Sequence, residues 1–216
     1  MVTLDGNKII VFTPQWDSKG KKDATGAFQP EAKAFAKLHN VPDTNIHIVD
    51  NHLQNPAMRE FVINKLKTNS YQFLAMFCHG WTDGIQFGFN RKNLGSLASE
   101  LLSDPYVRVV LYACSTGSPN AVGGDGGFAD ILRDTLCKKG AVCCQVDAHT
   151  TAGHCSRNPY VRRFLGGGYP EGGTGGEYLI TPNTSLWKKW IKAMQGDMRL
   201  KFPFMPKEEI LLELGE

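Results

Sequence analysis

Two blocks of this sequence end an apolar run in a residue able to do acid–base or nucleophilic chemistry. Residues 71–78 (YQFLAMFC) run into His79-Gly80, and residues 107–112 (VRVVLY) run into Ala113-Cys114, followed by Ser115-Thr116-Gly117. A free thiol, with a pKa of about 8.5, is mostly protonated at neutral pH. A neighbouring imidazole raises the thiolate fraction and later protonates a leaving amine. In this pairing Cys114 is the nucleophile and His79 the acid/base. The backbone N–H groups of Gly80 and Cys114 are candidates to stabilise an acyl oxyanion, and a glycine after the histidine lets a substrate approach the main chain closely.

That chemistry needs both runs to be neighbouring strands whose carboxyl ends face the same way. The rest of the chain reads as such a sheet, because short β-rich apolar runs alternate with helical patterns. Residues 8–13 (KIIVFT) open as a strand, and residues 14–30 form a long polar loop with Gly and Pro punctuation. A short amphipathic helix over 31–39, a strand over 45–50 and a helix over 56–67 with proline in its first turn follow. After the strand ending at His79 come a hairpin arm (84–89), a helix (94–102) and the strand ending at Cys114. A Gly-rich loop leads to a helix over 128–139 that stops at Gly140, and to a strand over 141–148. Beyond Thr150 the pattern loosens into Arg- and Gly-containing sequence, with a strand over 177–181. A last helix covers 185–198, with Ser185 as its N-cap. The fold expected is α/β, a three-layer α/β/α sandwich with a mostly parallel central sheet, in a single domain over 1–216. In such sheets reactive groups collect beyond the carboxyl ends of the strands, at a switch in strand order.

Composition narrows the function classes. The formal charge is +3, from 24 basic and 21 acidic residues scattered in pairs, too weak a footprint for nucleic acid. No apolar run approaches the roughly 20 residues of a membrane span, and no signal peptide opens the chain, so a cytoplasmic location without membrane or nucleic-acid partners is expected. The six cysteines (78, 114, 137, 143, 144 and 155) are expected as free thiols. Cys78 and Cys137 read as packing residues, and strand alternation sends Cys143 and Cys144 to opposite faces. Cys143, Cys144, His149, His154 and Cys155 lack the paired spacing of a zinc site, so no metal and no cofactor are expected. The stretch SPNAVGGDGGFAD has no Gly-Lys-Ser/Thr ending and reads as a flexible cleft wall, with Asp125 capping a turn. Trp187 and Trp190 read as core-facing.

The blocks FLAMFCHG and VRVVLYACSTG, in that order and at strand ends, resemble the caspase-like cysteine peptidases. That clan includes caspases, metacaspases, legumain, gingipain, clostripain, separase and the CHAT domains, and its strand and helix order is similar to residues 8–150. The resemblance implies a peptidase acting on protein or peptide substrates through His79 and Cys114, with the Gly80 and Cys114 amides as the oxyanion hole. It also suggests a pocket for the residue before the cut (P1). Asp147 resembles the acid with which the CHAT and separase branch binds a basic P1 side chain. Caspases use arginines to accept aspartate, for which Arg157, Arg162 and Arg163 are the candidates here. A non-catalytic module of the same fold, or another thiol-dependent acyl hydrolase, remains open as an alternative.

Overall fold

Among the described residues, nine strands and seven α-helices follow from two periodicities. The computed structural model describes residues 5–16, 27–101, 106–119, 127–166 and 175–216. The strands are β1 (Ile9–Pro14), β2 (Ile46–Val49), β3 (Phe73–Phe77), β4 (Gly80–Trp81), β5 (Gly84–Ile85), β6 (Tyr106–Tyr112), β7 (Cys143–His149), β8 (Val161–Gly166) and β9 (Glu177–Tyr178). The helices are α1 (Gln29–Leu38), α2 (Asn55–Leu66), α3 (Leu94–Leu101), α4 (Phe128–Lys138), α5 (Trp187–Ala193), α6 (Met198–Lys201) and α7 (Lys207–Glu213).

Seven strands form one sheet in the order β2-β1-β3-β6-β7-β8-β9, while β4 and β5 make a separate hairpin. The first five strands in that order run parallel, and β8 and β9 join antiparallel at the edge. Successive side chains of the central strands are sorted to opposite faces. Ile10, Phe12, Leu74, Met76, Val109 and Leu111 pack beneath α2, α3 and α4. Ile9, Val11, Phe73, Ala75, Phe77 and Val110 pack against α1 and the C-terminal helices α5, α6 and α7. The result is the expected three-layer α/β/α sandwich, with apolar runs on the inner strands because both faces are covered.

The C-terminal third departs from the sequence reading. β8 falls where only loose Arg-containing sequence is legible, because two of its six residues are charged and yet buried. Burial there is satisfied by bonding. The Asp147 carboxylate accepts from Arg163 Nε at 2.8 Å and Nη2 at 3.0 Å, and from Gln145 Nε2 at 2.7 Å. Arg163 donates onward to the Met205 and Phe202 carbonyls at 2.7 and 2.9 Å, and Gln145 to that of Pro203 at 3.0 Å. This cluster fastens the segment between α6 and α7 to the sheet. The helix expected over 185–198 is shorter, with Leu186 rather than Ser185 at the N-cap position, and α6 follows it as a separate helix. The hairpin arm expected over 84–89 is strand only at Gly84 and Ile85. Residues 17–26, the 120–126 stretch with Asp125, and the glycines of 167–174 lie outside the described residues.

Among the described residues no helix is long and apolar enough to cross a membrane. Replacing Asp147 with Asn should leave the Arg163 guanidinium buried without its counter-charge, at a cost of about 3–5 kcal/mol. A urea titration reads this as a lowered midpoint; an unchanged midpoint would mean that the cluster does not hold the C-terminal layer.

Candidate active site

The register of β3 on β6 decides which residues meet at the carboxyl edge. Phe73 to Phe77 pair in step with Arg108 to Tyr112, and the Cys78 N–H extends the ladder by donating to the Tyr112 carbonyl at 3.4 Å. His79 and Cys114 each lie two residues beyond the last pair of this ladder. The strand order changes direction between β1 and β3, since β2 lies on one side of β1 and β3 on the other. The open crevice of such a sheet lies at this switch.

Gly80 brings the two loops into contact. A Cβ added there would stand 2.8 Å from the Ala113 Cβ, the Cys114 carbonyl oxygen and the Thr116 Cγ2. Any side chain at 80 would push the histidine loop off the cysteine turn. The hairpin that follows holds His79 by its main chain: the His79 carbonyl accepts from the Gln86 N–H at 2.9 Å, and the His79 N–H donates to the Gln86 Oε1 at 3.2 Å. Antiparallel pairs alternate between bonded and non-bonded, so the bond between residues 79 and 86 makes Gly80 and Ile85 a non-bonded pair. The Gly80 N–H is therefore directed out of the hairpin. The exposed His79 ring stands edge-on to Phe28, with centroids 4.9 Å apart at 84°. Phe28 arrives from the chain that leaves β1, on the crevice side.

Cys114 is half-buried at the start of a tight turn. Its Sγ donates to the Gly153 carbonyl at 3.3 Å. Ser115, directly after it, has φ +58°, a left-handed conformation costly for a residue with a side chain. The turn is held by bonds to the chain leaving β7: Ser115 N–H to the Thr151 carbonyl at 3.3 Å, and Gly117 N–H to the His149 carbonyl at 2.8 Å. The loop over the thiol is braced from within by Asn158, whose Nδ2 donates to the Thr151 carbonyl at 2.9 Å and whose Oδ1 accepts from the Tyr160 N–H at 3.0 Å. Both loops also end on α4. Phe128 N–H donates to the Thr82 carbonyl at 2.8 Å, and Ala129 N–H to the Thr116 carbonyl at 2.9 Å.

The structure thus brings His79, Gly80 and Cys114 together and leaves Asp147 apart. Asp147 pairs with Val110, four residues before Cys114, so it lies roughly 13 Å down the strand. It is 0% exposed and committed to Arg163. Burial raises its carboxyl pKa, and Arg163 and Gln145 pull it back down. The expectation that Asp147 meets a substrate side chain is corrected: strand alternation turns it into the C-terminal layer. Arg163 is the other half of that pair. Arg162 faces the opposite way and is also buried, donating to the Gly176 and Gly117 carbonyls at 2.7 and 3.2 Å and to that of Pro119. It braces the Cys114 turn from behind. Arg157 alone of the three is exposed, on the same loop as Gly153.

Of the other cysteines, burial pushes the thiols of Cys78 and Cys155 upward, and Cys155 Sγ donates to the Ala27 carbonyl at 2.6 Å. All six are free thiols. Among the described residues no group of three or more His, Cys, Asp or Glu side chains could hold a metal ion. Gln86, Phe28 and Asn158 had no signal of their own in sequence, apart from the turn-forming Asn158-Pro159 pair.

His149 closes the floor of the cysteine loop and gives the region a pH dependence. It is 1% exposed, and the backbone of Cys155, Asn158 and Tyr160 surrounds its ring without a hydrogen bond of normal geometry to either nitrogen. Burial is the largest cause lowering its pKa from 6.5 to about 4. Between those values the unfolded chain takes up a proton that the folded one refuses, so stability falls as pH drops from 6.5 to about 4. The expected loss is on the order of 3 kcal/mol. His149→Leu should reduce that slope in unfolding titrations at pH 7 and pH 4.5, leaving the share of His47, which burial also lowers to about 4, and those of His39 and His154, lowered in the same direction; an unchanged slope would place the effect elsewhere.

In comparisons with known proteins, no family model, no curated protein and no solved structure matches this chain.

Proposed function

We propose that the protein is a cysteine peptidase of the caspase-like kind, in which His79 and Cys114 form the catalytic dyad. One observation supports the reading: β3 and β6 pair in step up to Phe77 and Tyr112, His79 and Cys114 each follow two residues later, and Gly80 packs on the Cys114 backbone. His79 takes the Cys114 proton, and the thiolate adds to the scissile carbonyl carbon. The Cys114 amide and the outward Gly80 amide are the donors for the oxyanion. Collapse breaks the C–N bond, His79 protonates the departing amine, and a thioester remains on Cys114. His79 then deprotonates a water whose attack releases the acid and restores the thiol. In the resting state the thiol donates to Gly153, so the first step exchanges that carbonyl for the imidazole.

The pocket for the residue before the cut is a separate matter. A basic preference through Asp147 has lost its carboxylate to the Arg163 pair. Arg157, exposed and without an ion pair among the described residues, favours an acidic side chain there.

Cys114→Ala should abolish cleavage of a fluorogenic peptide library and His79→Ala should lower it by roughly 10²–10⁴-fold, both with unchanged circular dichroism. Persistent turnover by Cys114→Ala would end the proposal. In the same library, Asp or Glu before the cut should be preferred and the preference lost in Arg157→Ala; a preference for Lys or Arg would reject the pocket while leaving the dyad standing.

The competing readings separate by thiol chemistry. Iodoacetamide near neutral pH should label Cys114 faster than the exposed Cys143. Equal rates would favour a non-catalytic binding module, and fast labelling without peptide cleavage another acyl hydrolase.

A further inference from the structure

Away from the carboxyl edge, two sulfurs meet between α4 and β7. Cys137 Sγ and Cys144 Sγ are 3.4 Å apart, one from the last turn of the helix and one from the second residue of the strand. The site is closed on its remaining side by Gly166, which pairs with Cys144 across the antiparallel ladder. A Cβ on Gly166 would stand 2.3 Å from the Cys137 Sγ and 2.9 Å from the Cys144 Sγ. Glycine is therefore the residue that leaves room for both sulfurs, and the crowding confines them. Cys144 is buried, its Sγ 3.8 Å from the Arg133 carbonyl, whereas Cys137 is partly open to solvent. Cys143, the neighbouring exposed thiol, lies on the other face of β7, where alternation keeps it from the pair.

We propose that Cys137 and Cys144 are a redox modification site, a dithiol that closes to a disulfide when the protein meets a peroxide. The sulfurs need to approach by about 1.4 Å to reach the S–S distance of about 2.05 Å, a movement within side-chain adjustment. Chemistry and access agree on the order of steps. The Cys137 thiolate attacks one peroxide oxygen, giving a sulfenic acid and releasing the other oxygen as water. The Cys144 sulfur then attacks the Cys137 sulfur, the S–O bond breaks, and a second water leaves with the Cys144 proton. Two thiols are oxidised by two electrons and one peroxide is reduced to two waters. The bond ties the C-terminal end of α4 to the sheet, while its N-terminal end is already tied to the Thr82 and Thr116 carbonyls. Oxidation therefore fixes the helix at both ends.

The test treats the full-length protein with a small excess of hydrogen peroxide, blocks remaining thiols with N-ethylmaleimide and maps peptides without reduction. A peptide pair joined through Cys137 and Cys144 is expected, two hydrogens lighter than the separate peptides and released by dithiothreitol. The oxidised protein should melt a few degrees above the reduced one. That shift should vanish in Cys137→Ser and persist in Cys143→Ala, which keeps the test independent of any folding defect caused by altering the buried Cys144. Sulfinic acid on Cys137 without the joined peptide, or a bond from either residue to a different cysteine, would overturn the proposal.

Discussion

The in-step pairing of β3 with β6 is the constraint on which the carboxyl edge depends. Parallel strands carry evenly spaced bonds, so the five-residue ladder fixes the level at which the two chains leave the sheet. A shift by one residue would turn either His79 or Cys114 to the opposite face of the sheet. The tight fit at Gly80 makes the same demand from the side of the loops. Register and steric contact thus specify one arrangement twice, and a site built on rigid supports needs that redundancy.

Around this edge side-chain and backbone polar groups are committed to positioning. Gln86 holds the His79 main chain, Asn158 braces the loop carrying Gly153, and the first two amides of α4 donate to the carbonyls at the ends of both loops. Buried polar groups are costly unless satisfied, so each of these bonds also restricts the chain to the geometry that satisfies it. The contrast with His149 is instructive. Its ring is buried without good partners, and the region becomes sensitive to acid.

How much of this was legible in sequence follows from what each residue contributes. The inner strands were readable because both faces are apolar, and His79, Gly80 and Cys114 stood out because they end those runs. β8 was not readable, because Arg162 and Arg163 are buried through partners distant in sequence, namely Asp147, Met205, Gly117 and Gly176. No local pattern announces such pairing. For the same reason Asp147 looked like a cleft residue: a strand-end acid near a reactive cysteine has the same local sequence whether it faces substrate or a guanidinium. The helices α6 and α7 escaped as well, and the expected 185–198 helix was read too long, since these short helices are held by packing on the sheet rather than by long periodic stretches of their own.

Arg162 and Arg163 are adjacent, yet they serve opposite layers. One guanidinium reaches back to the cysteine turn and the other forward to the C-terminal segment. Which does which is a matter of parity, because consecutive side chains of a strand leave on opposite faces. β8 therefore acts as a two-sided rivet whose orientation is encoded in an odd or even count of residues from β7. Shifted by one so that Phe164 stood opposite Asp147, the strand would bury that carboxylate against an apolar ring, with no guanidinium on its side of the sheet.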